Sequence, residues 1–156
     1  MNKALRELFP GTRDQVYLDV AARGLVPEPV KTAILEYLDE CVLGTGDKDL
    51  LRQRVDEARA AMAALIGADQ DEVAITKNVS EGLNLFAASL PWDSGDNVVL
   101  CPQLEHPNNI YLWYNLSRRQ GIEVRDIPPE GGRMPVTAMV EAMDERTRVV
   151  TCPSVS

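Results

Sequence analysis

Three strand-like runs, the apolar NVVLC at 97–101, IEVRDI at 122–127 and TRVVTC at 147–152, recur with a helix-length segment between each pair. This recurrence constrains the fold more than any other feature of the chain. A strand that is apolar along its whole length suits burial on both faces, and strands joined by crossovers of a dozen or more residues run parallel in one sheet. The intervening segments, 108–120 and 137–143, are read as helices. Upstream, Val73-Ala74-Ile75-Thr76 is a short strand candidate, followed by a helix over 80–90 with Leu83, Phe86, Ala87 and Leu90 facing inward. Strands alternating with helices in this way predict an α/β fold, a mostly parallel sheet with helices on both faces.

The first part of the chain has a different pattern. Val16-Tyr17-Leu18-Asp19 breaks into Ala21-Ala22-Arg23-Gly24 and the Pro27/Pro29 pair, which reads as an extended arm. From Glu28, Val30, Ala33, Ile34, Tyr37, Leu38, Cys41 and Val42 fall at helical spacing, with Gly44 and Gly46 at the end. A second helix is expected over 47–66, with Leu50, Leu51, Val55, Ala58, Met62, Ala63 and Leu65 on one face and Gly67 as its C-terminal cap.

With 156 residues, 45% of them hydrophobic, the chain can bury a core without disulfides or a structural metal. A net charge of -8 argues against a large nucleic-acid interface. No apolar run approaches the roughly 18 residues of a membrane span, so no membrane partner is expected. The opening MNKALRE carries both charge signs and leads into no apolar core, so a secretory leader is not expected and the cytoplasm is the default location. Cys41, Cys101 and Cys152 are widely spaced within apolar stretches and read as small buried hydrophobes. The single histidine, His106, has no nearby cysteine pair, so no metal site is expected.

Two segments carry candidate chemistry. In Ile75-Thr76-Lys77-Asn78-Val79-Ser80-Glu81-Gly82 a strand passes through a polar turn into a helix, aiming backbone N–H groups, the positive end of the helix dipole and the Ser80 hydroxyl at one point where a phosphate fits. A plain N-cap at Asn78 or Ser80 explains the same residues. The second segment, Cys101-Pro102-Gln103-Leu104-Glu105-His106-Pro107-Asn108-Asn109, leaves the carboxyl end of a buried strand, where parallel sheets bind ligands. There His106 can stack on an aromatic ligand or move a proton, or it is simply bonded to its own loop. A simple phosphate or nucleotide binder is disfavoured, because no Gly-rich phosphate fingerprint is present.

Taken together, these blocks resemble the class V aminotransferase and cysteine desulfurase family. ITKNVSEGLNL is similar to its TSGATEAIN block and LEHPNNIYLW to its EHxSNxxPW block. In the same order, YLDVAARGLVP resembles the family's N-terminal arm, GDNVVLCPQLEHP its GDEVLV segment, and DERTRVVTCPSVS its D.RTRLVAVSHVS strand. The resemblance covers nearly all of the chain from Tyr17 on. It implies the pyridoxal phosphate cofactor and the N-terminal part of the type I aminotransferase large domain, incomplete at its C-terminus. It further implies that Asn78, Val79 and Ser80 hold the cofactor phosphate, and that His106 stacks on the cofactor ring as a catalytic residue. Ala22, Arg23 and Asn109 would border the substrate pocket. Residues 1–46 would then be the arm and first helix, and 47–156 the first part of the cofactor-binding domain.

Departures accompany the likeness. Lys77, Asn78 and Val79 replace the usual Ser-Gly-Ala, and Leu112 stands where proline is common. The family's pyridine-pairing aspartate and Schiff-base lysine lie downstream of its Ser-Val-Ser, and none of Lys3, Lys31, Lys48 or Lys77 aligns with that lysine. The resemblance therefore implies a fragment or one half of a split enzyme, inactive alone. A C-terminal portion or second subunit would supply the aspartate and lysine, in a homo- or hetero-oligomer acting on an amino acid. Cysteine desulfuration, or carbon–sulfur or carbon–selenium lysis, is the first expectation from the EH..N...W spacing. Transamination and epimerisation stay open, as does a non-catalytic subunit that binds a partner through its unfinished sheet edge.

Overall fold

In the computed structural model, which describes residues 3–154, the run NVVL forms β1 (Asn97–Leu100), and each of its residues is fully buried. β2 (Glu123–Asp126) and β3 (Thr147–Thr151) flank it in a three-stranded sheet of order β2-β1-β3, parallel throughout. Side chains alternate across a strand, so the apolar run divides between two cores. Val98 and Leu100 pack with Ala87, Leu112, Trp113 and Ile122 on one face, while Val99 and Cys101 pack with Met139 on the other.

The helices follow the same division. α4 (Val79–Ser89) and α5 (Tyr111–Gln120) supply the first face, and α6 (Val136–Glu141) supplies the second. Trp113 is almost completely buried, and its ring meets that of Trp92 edge-on at 6.2 Å between centroids. Gly121 ends α5 at φ 74°, a conformation glycine adopts without the Cβ penalty. The helix expected over 108–120 thus begins at Tyr111, because a tighter 3-10 turn at Pro107–Asn109 comes first.

The amino ends of the strands are tied by polar groups. Fully buried Asn97 donates from Nδ2 to Asp144 Oδ1 (2.8 Å) and accepts from Thr147 Oγ1 (2.8 Å). Arg125 pairs with Glu123 (2.9 Å) and Asp144 (2.8 Å), and Arg148 pairs with Asp96 (2.9 Å). The Asn97 bond, then Arg125, then the Arg146 backbone N–H, hold the Asp144 carboxyl down at about 2.

The chain divides into two compact units, Met1–Ala74 and Ile75–Ser156. The first contains α1 (Lys3–Glu7), α2 (Glu28–Leu43) and α3 (Lys48–Ile66), with the extended arm the sequence predicts between α1 and α2 and a short turn at 44–47 between α2 and α3. Asp47 caps α3 by accepting from Asp49 N and Leu50 N, and Gly67 closes it at φ 71°. Ala63 is the one residue of α3 that is buried, and none of α2 is. Among the described residues no helix is long and apolar enough to cross a membrane.

Three expectations are corrected. The segment 73–76 is extended but forms no ladder, since among the described residues no strand lies beside it and an extended chain becomes a strand only by pairing. Phe86, expected to face inward, is 49% exposed, although Ala87 beside it is buried. Cys101 is buried as expected, but Cys41 and Cys152 are exposed. Cys41 lies on a helix with no buried residue, and Cys152 lies past the end of β3. Of the Ser-Val-Ser at 154–156, Val155 and Ser156 lie outside the described residues.

Candidate functional site

At the carboxyl end of β1 the chain turns twice, with Leu104 N donating to Cys101 O (3.2 Å) and Glu105 N to Pro102 O (3.4 Å). Pro107 then starts the 3-10 turn, where its fixed φ suits the first helical position and its missing N–H costs nothing. His106 precedes that turn, exposed, with Nδ1 2.9 Å from Asn108 Oδ1. The Asn108 backbone N–H donates to the same nitrogen (3.4 Å), so Nδ1 is held by both the side chain and the backbone of Asn108. Nε2 has no partner among the described residues.

Asn109 faces the other way. Its Nδ2 donates to Glu105 Oε2 (2.9 Å) and to Thr151 Oγ1 (2.6 Å), and its Oδ1 accepts from Trp113 Nε1 (3.2 Å). The residue expected at a substrate pocket therefore has both its amide nitrogen and its oxygen engaged within the protein. Glu105 and Thr151 were not singled out by sequence reasoning. The only signal for them was the four-residue spacing of Glu105 and Asn109 and the position of Thr151 at a strand's carboxyl end.

The second motif opens α4. Asn78 Oδ1 accepts from Glu81 N (2.9 Å), and Glu81 Oε2 accepts from Lys77 N (2.7 Å), a reciprocal cap that fixes the turn. The plain N-cap reading is thus realised at Asn78. It leaves the amides of Val79 and Ser80 and the exposed Ser80 hydroxyl without acceptors among the described residues, pointing out of the positive end of the helix. Asn84, one turn on, donates to Ser80 O (2.7 Å).

These two motifs, distant in sequence, meet. A cleft of about 400 Å³ is lined by Ser80 and Asn84 from α4, Pro107 and Asn108 from the 3-10 turn, and Tyr111, Leu112 and Asn115. The Ser80 amide and hydroxyl at its rim, with the Val79 amide beside them in sequence, suit an anion. The neighbouring His106 and the Tyr111 ring suit a flat ligand beside it. Glu81 sits at the same helix end, but its carboxylate is engaged by the Lys77 amide. Ala22 and Arg23 belong to the first unit, in a turn closed by Arg23 N donating to Asp19 O (3.1 Å) and Tyr17 Oη donating to Arg23 O (2.6 Å). Both are exposed, and Arg23 makes no ion pair among the described residues.

Known proteins are similar to this chain in sequence and fold. The family model for "Aminotransferase class-V" matches residues 16–156. A protein of Methanothermobacter thermautotrophicus described as "Probable cysteine desulfurase" is 39% identical over 97% of this chain, which covers 39% of that protein. Among solved structures, a lysine-to-alanine mutant of C-DES with glycine covalently linked to its PLP cofactor superposes with a TM-score of 0.78 at 26% identity, over 93% of this chain and 39% of its own. The apo structure of cysteine desulfurase from Thermococcus onnurineus gives 0.73 at 27% identity, over 96% and 40%. The chain spans about two-fifths of the length of the curated relatives it matches. By its sequence over 16–156, by its parallel α/β sheet and by the order of its motifs, the chain belongs to the aminotransferase class-V family.

Proposed function

We propose that this chain is the N-terminal, cofactor-cradling part of a pyridoxal phosphate-dependent cysteine desulfurase, cleaving the carbon–sulfur bond of cysteine. The observation that carries the reading is the convergence of Ser80 and the turn that follows His106 on one cleft, at the carboxyl ends of parallel strands. Pyridoxal phosphate, when bound, supplies the electron sink for breaking bonds of an amino acid. The chain's own residues do the rest. The amides of Val79 and Ser80 and the Ser80 hydroxyl donate to the phosphate, while Asn78, by capping α4, keeps them aimed outward. His106, its Nδ1 held by Asn108, would stack on the cofactor ring and could take or return a proton there at Nε2.

Ala22 and Arg23 in the arm, with the Asn109 loop, border the substrate pocket. The cofactor-anchoring lysine and its companion aspartate come from polypeptide beyond these 156 residues, in a cytoplasmic oligomer, and the chain alone is inactive. Relatives named as cysteine desulfurases, which the chain covers only in part, support that division. The test is assembly with the polypeptide that carries the lysine. Bound-cofactor absorbance and sulfide release from cysteine are expected, with His106→Ala cutting turnover while the melting temperature holds. An assembly without cofactor would instead make the chain a partner-binding subunit.

A further inference from the structure

We propose that Glu105 is a positioning residue for His106, acting through Asn109, an inference that rests on the cofactor reading above for its use. Glu105 and Asn109 bracket the turn that carries His106, and the bond from Asn109 Nδ2 to Glu105 Oε2 (2.9 Å) closes that bracket. The far side of the bracket is anchored twice. Asn109 donates to Thr151 at the carboxyl end of β3 and accepts from the indole of Trp113, which is 1% exposed in the core of α5 and β1. The turn is thereby tied to a strand and to a helix at once.

The carboxylate of Glu105 is not where a solubilising side chain would put it. Its Oε1 is buried without a hydrogen-bond partner among the described residues, an unfavourable state for a charged oxygen when water lies within reach of the loop. What holds the side chain in place is the bond of its other oxygen to Asn109. Glu105 also immediately precedes His106, so the backbone entering the histidine is fixed by the bracket, as the imidazole is by Asn108. Were the bracket open, His106 would sample several ring orientations on an exposed loop. A ring that must lie flat against a ligand requires one.

The chain provides its own reporters. It has one histidine and two tryptophans. The Trp113 indole N–H senses Asn109 directly, whereas that of Trp92 donates to Ala87 O (2.8 Å) and meets the bracket only through the edge-on contact of the two rings. NMR of the chain assembled with the polypeptide that carries the lysine, with only this chain labelled at His and Trp and no cofactor added, should show that Glu105→Ala shifts or splits the His106 ring signals and moves the Trp113 indole peak more than that of Trp92. Glu105→Gln, whose amide oxygen can still accept from Asn109, should restore both. His106 signals unchanged in Glu105→Ala overturn the proposal, even if Trp113 moves. Should Glu105→Ala lose the Trp92 peak and so fail to fold, Glu105→Asp carries the test. It is still charged but one methylene too short for Asn109, and unmoved His106 signals in that variant are equally fatal. Pyridoxal phosphate added to the wild-type assembly is a separate arm, in which an unresponsive His106 counts against the cofactor reading and leaves the positioning result intact.

Discussion

Ser80→Ala isolates one donor of the anion cradle. The wild-type helix end offers three donors, the Val79 amide, the Ser80 amide and the Ser80 hydroxyl, and the substitution deletes the last while keeping the backbone. A hydrogen bond to a charged group contributes about 1–3 kcal/mol, so pyridoxal phosphate affinity of the assembled enzyme should fall about 5- to 150-fold. Folding should barely change. The hydroxyl is exposed and bonds to nothing else among the described residues, and such surface changes stay within about 0.5 kcal/mol. Asn84→Ala is the control, because Asn84 lines the same cleft but directs its amide to Ser80 O. Titration with pyridoxal phosphate and with pyridoxal, followed by absorbance, separates a phosphate effect from a general one. The reasoning fails if Ser80→Ala binds pyridoxal phosphate as tightly as wild type, or if it weakens pyridoxal equally.

Leu100→Ala empties a fully buried position of the central strand and should cost about 2–5 kcal/mol, measured by denaturant unfolding. Asp144, held at about 2 against an ordinary 3.8, prefers its charged form in the native state. Its stabilising contribution is present above pH 4 and lost as pH falls toward 2, and thermal melts of Asp144→Asn should show that acid limb flattened. Thiol titration of the native chain should find Cys41 and Cys152 reacting quickly and Cys101 only on unfolding.

The parallel sheet was legible because short strand runs alternate with helix-length segments and the central run NVVL is apolar on both faces, a pattern with few other folded solutions. The four residues of β1 are buried as the run NVVL implies, and Asp47, Gly67 and Gly121 mark helix ends by their own chemistry. Periodicity reveals which side of a helix is apolar, but not whether anything covers it. That is why Val30, Ile34 and Leu38 form a regular stripe in the sequence yet stay half exposed on α2. It is also why Val73–Thr76 has the composition of a strand and no ladder. At the site, Ser80 and His106 could be named from turn chemistry and position. The bracket of Glu105, Asn109 and Thr151 could not, because it joins residues 42 apart through one amide, and no local rule describes such a contact.

The two ends of the sheet hold similar residue types and divide their labour by whether those residues are satisfied. At the amino ends, Asn97, Asp144, Arg125 and Glu123 form one set of hydrogen bonds and ion pairs and Asp96 with Arg148 a second, all at 2.8–2.9 Å. A group whose donors and acceptors are met inside the protein gains little from a ligand and resists a change of charge, so this cluster serves register and stability despite its charge density. The carboxyl end carries fewer charges, and there the unmet groups collect: the Val79 and Ser80 amides, the Ser80 hydroxyl, and His106 Nε2. Beneath them Asn109 is saturated. A site needs both conditions at once, open valences toward the cleft and closed ones behind it, because donors that are free to turn away lose the advantage of being aimed.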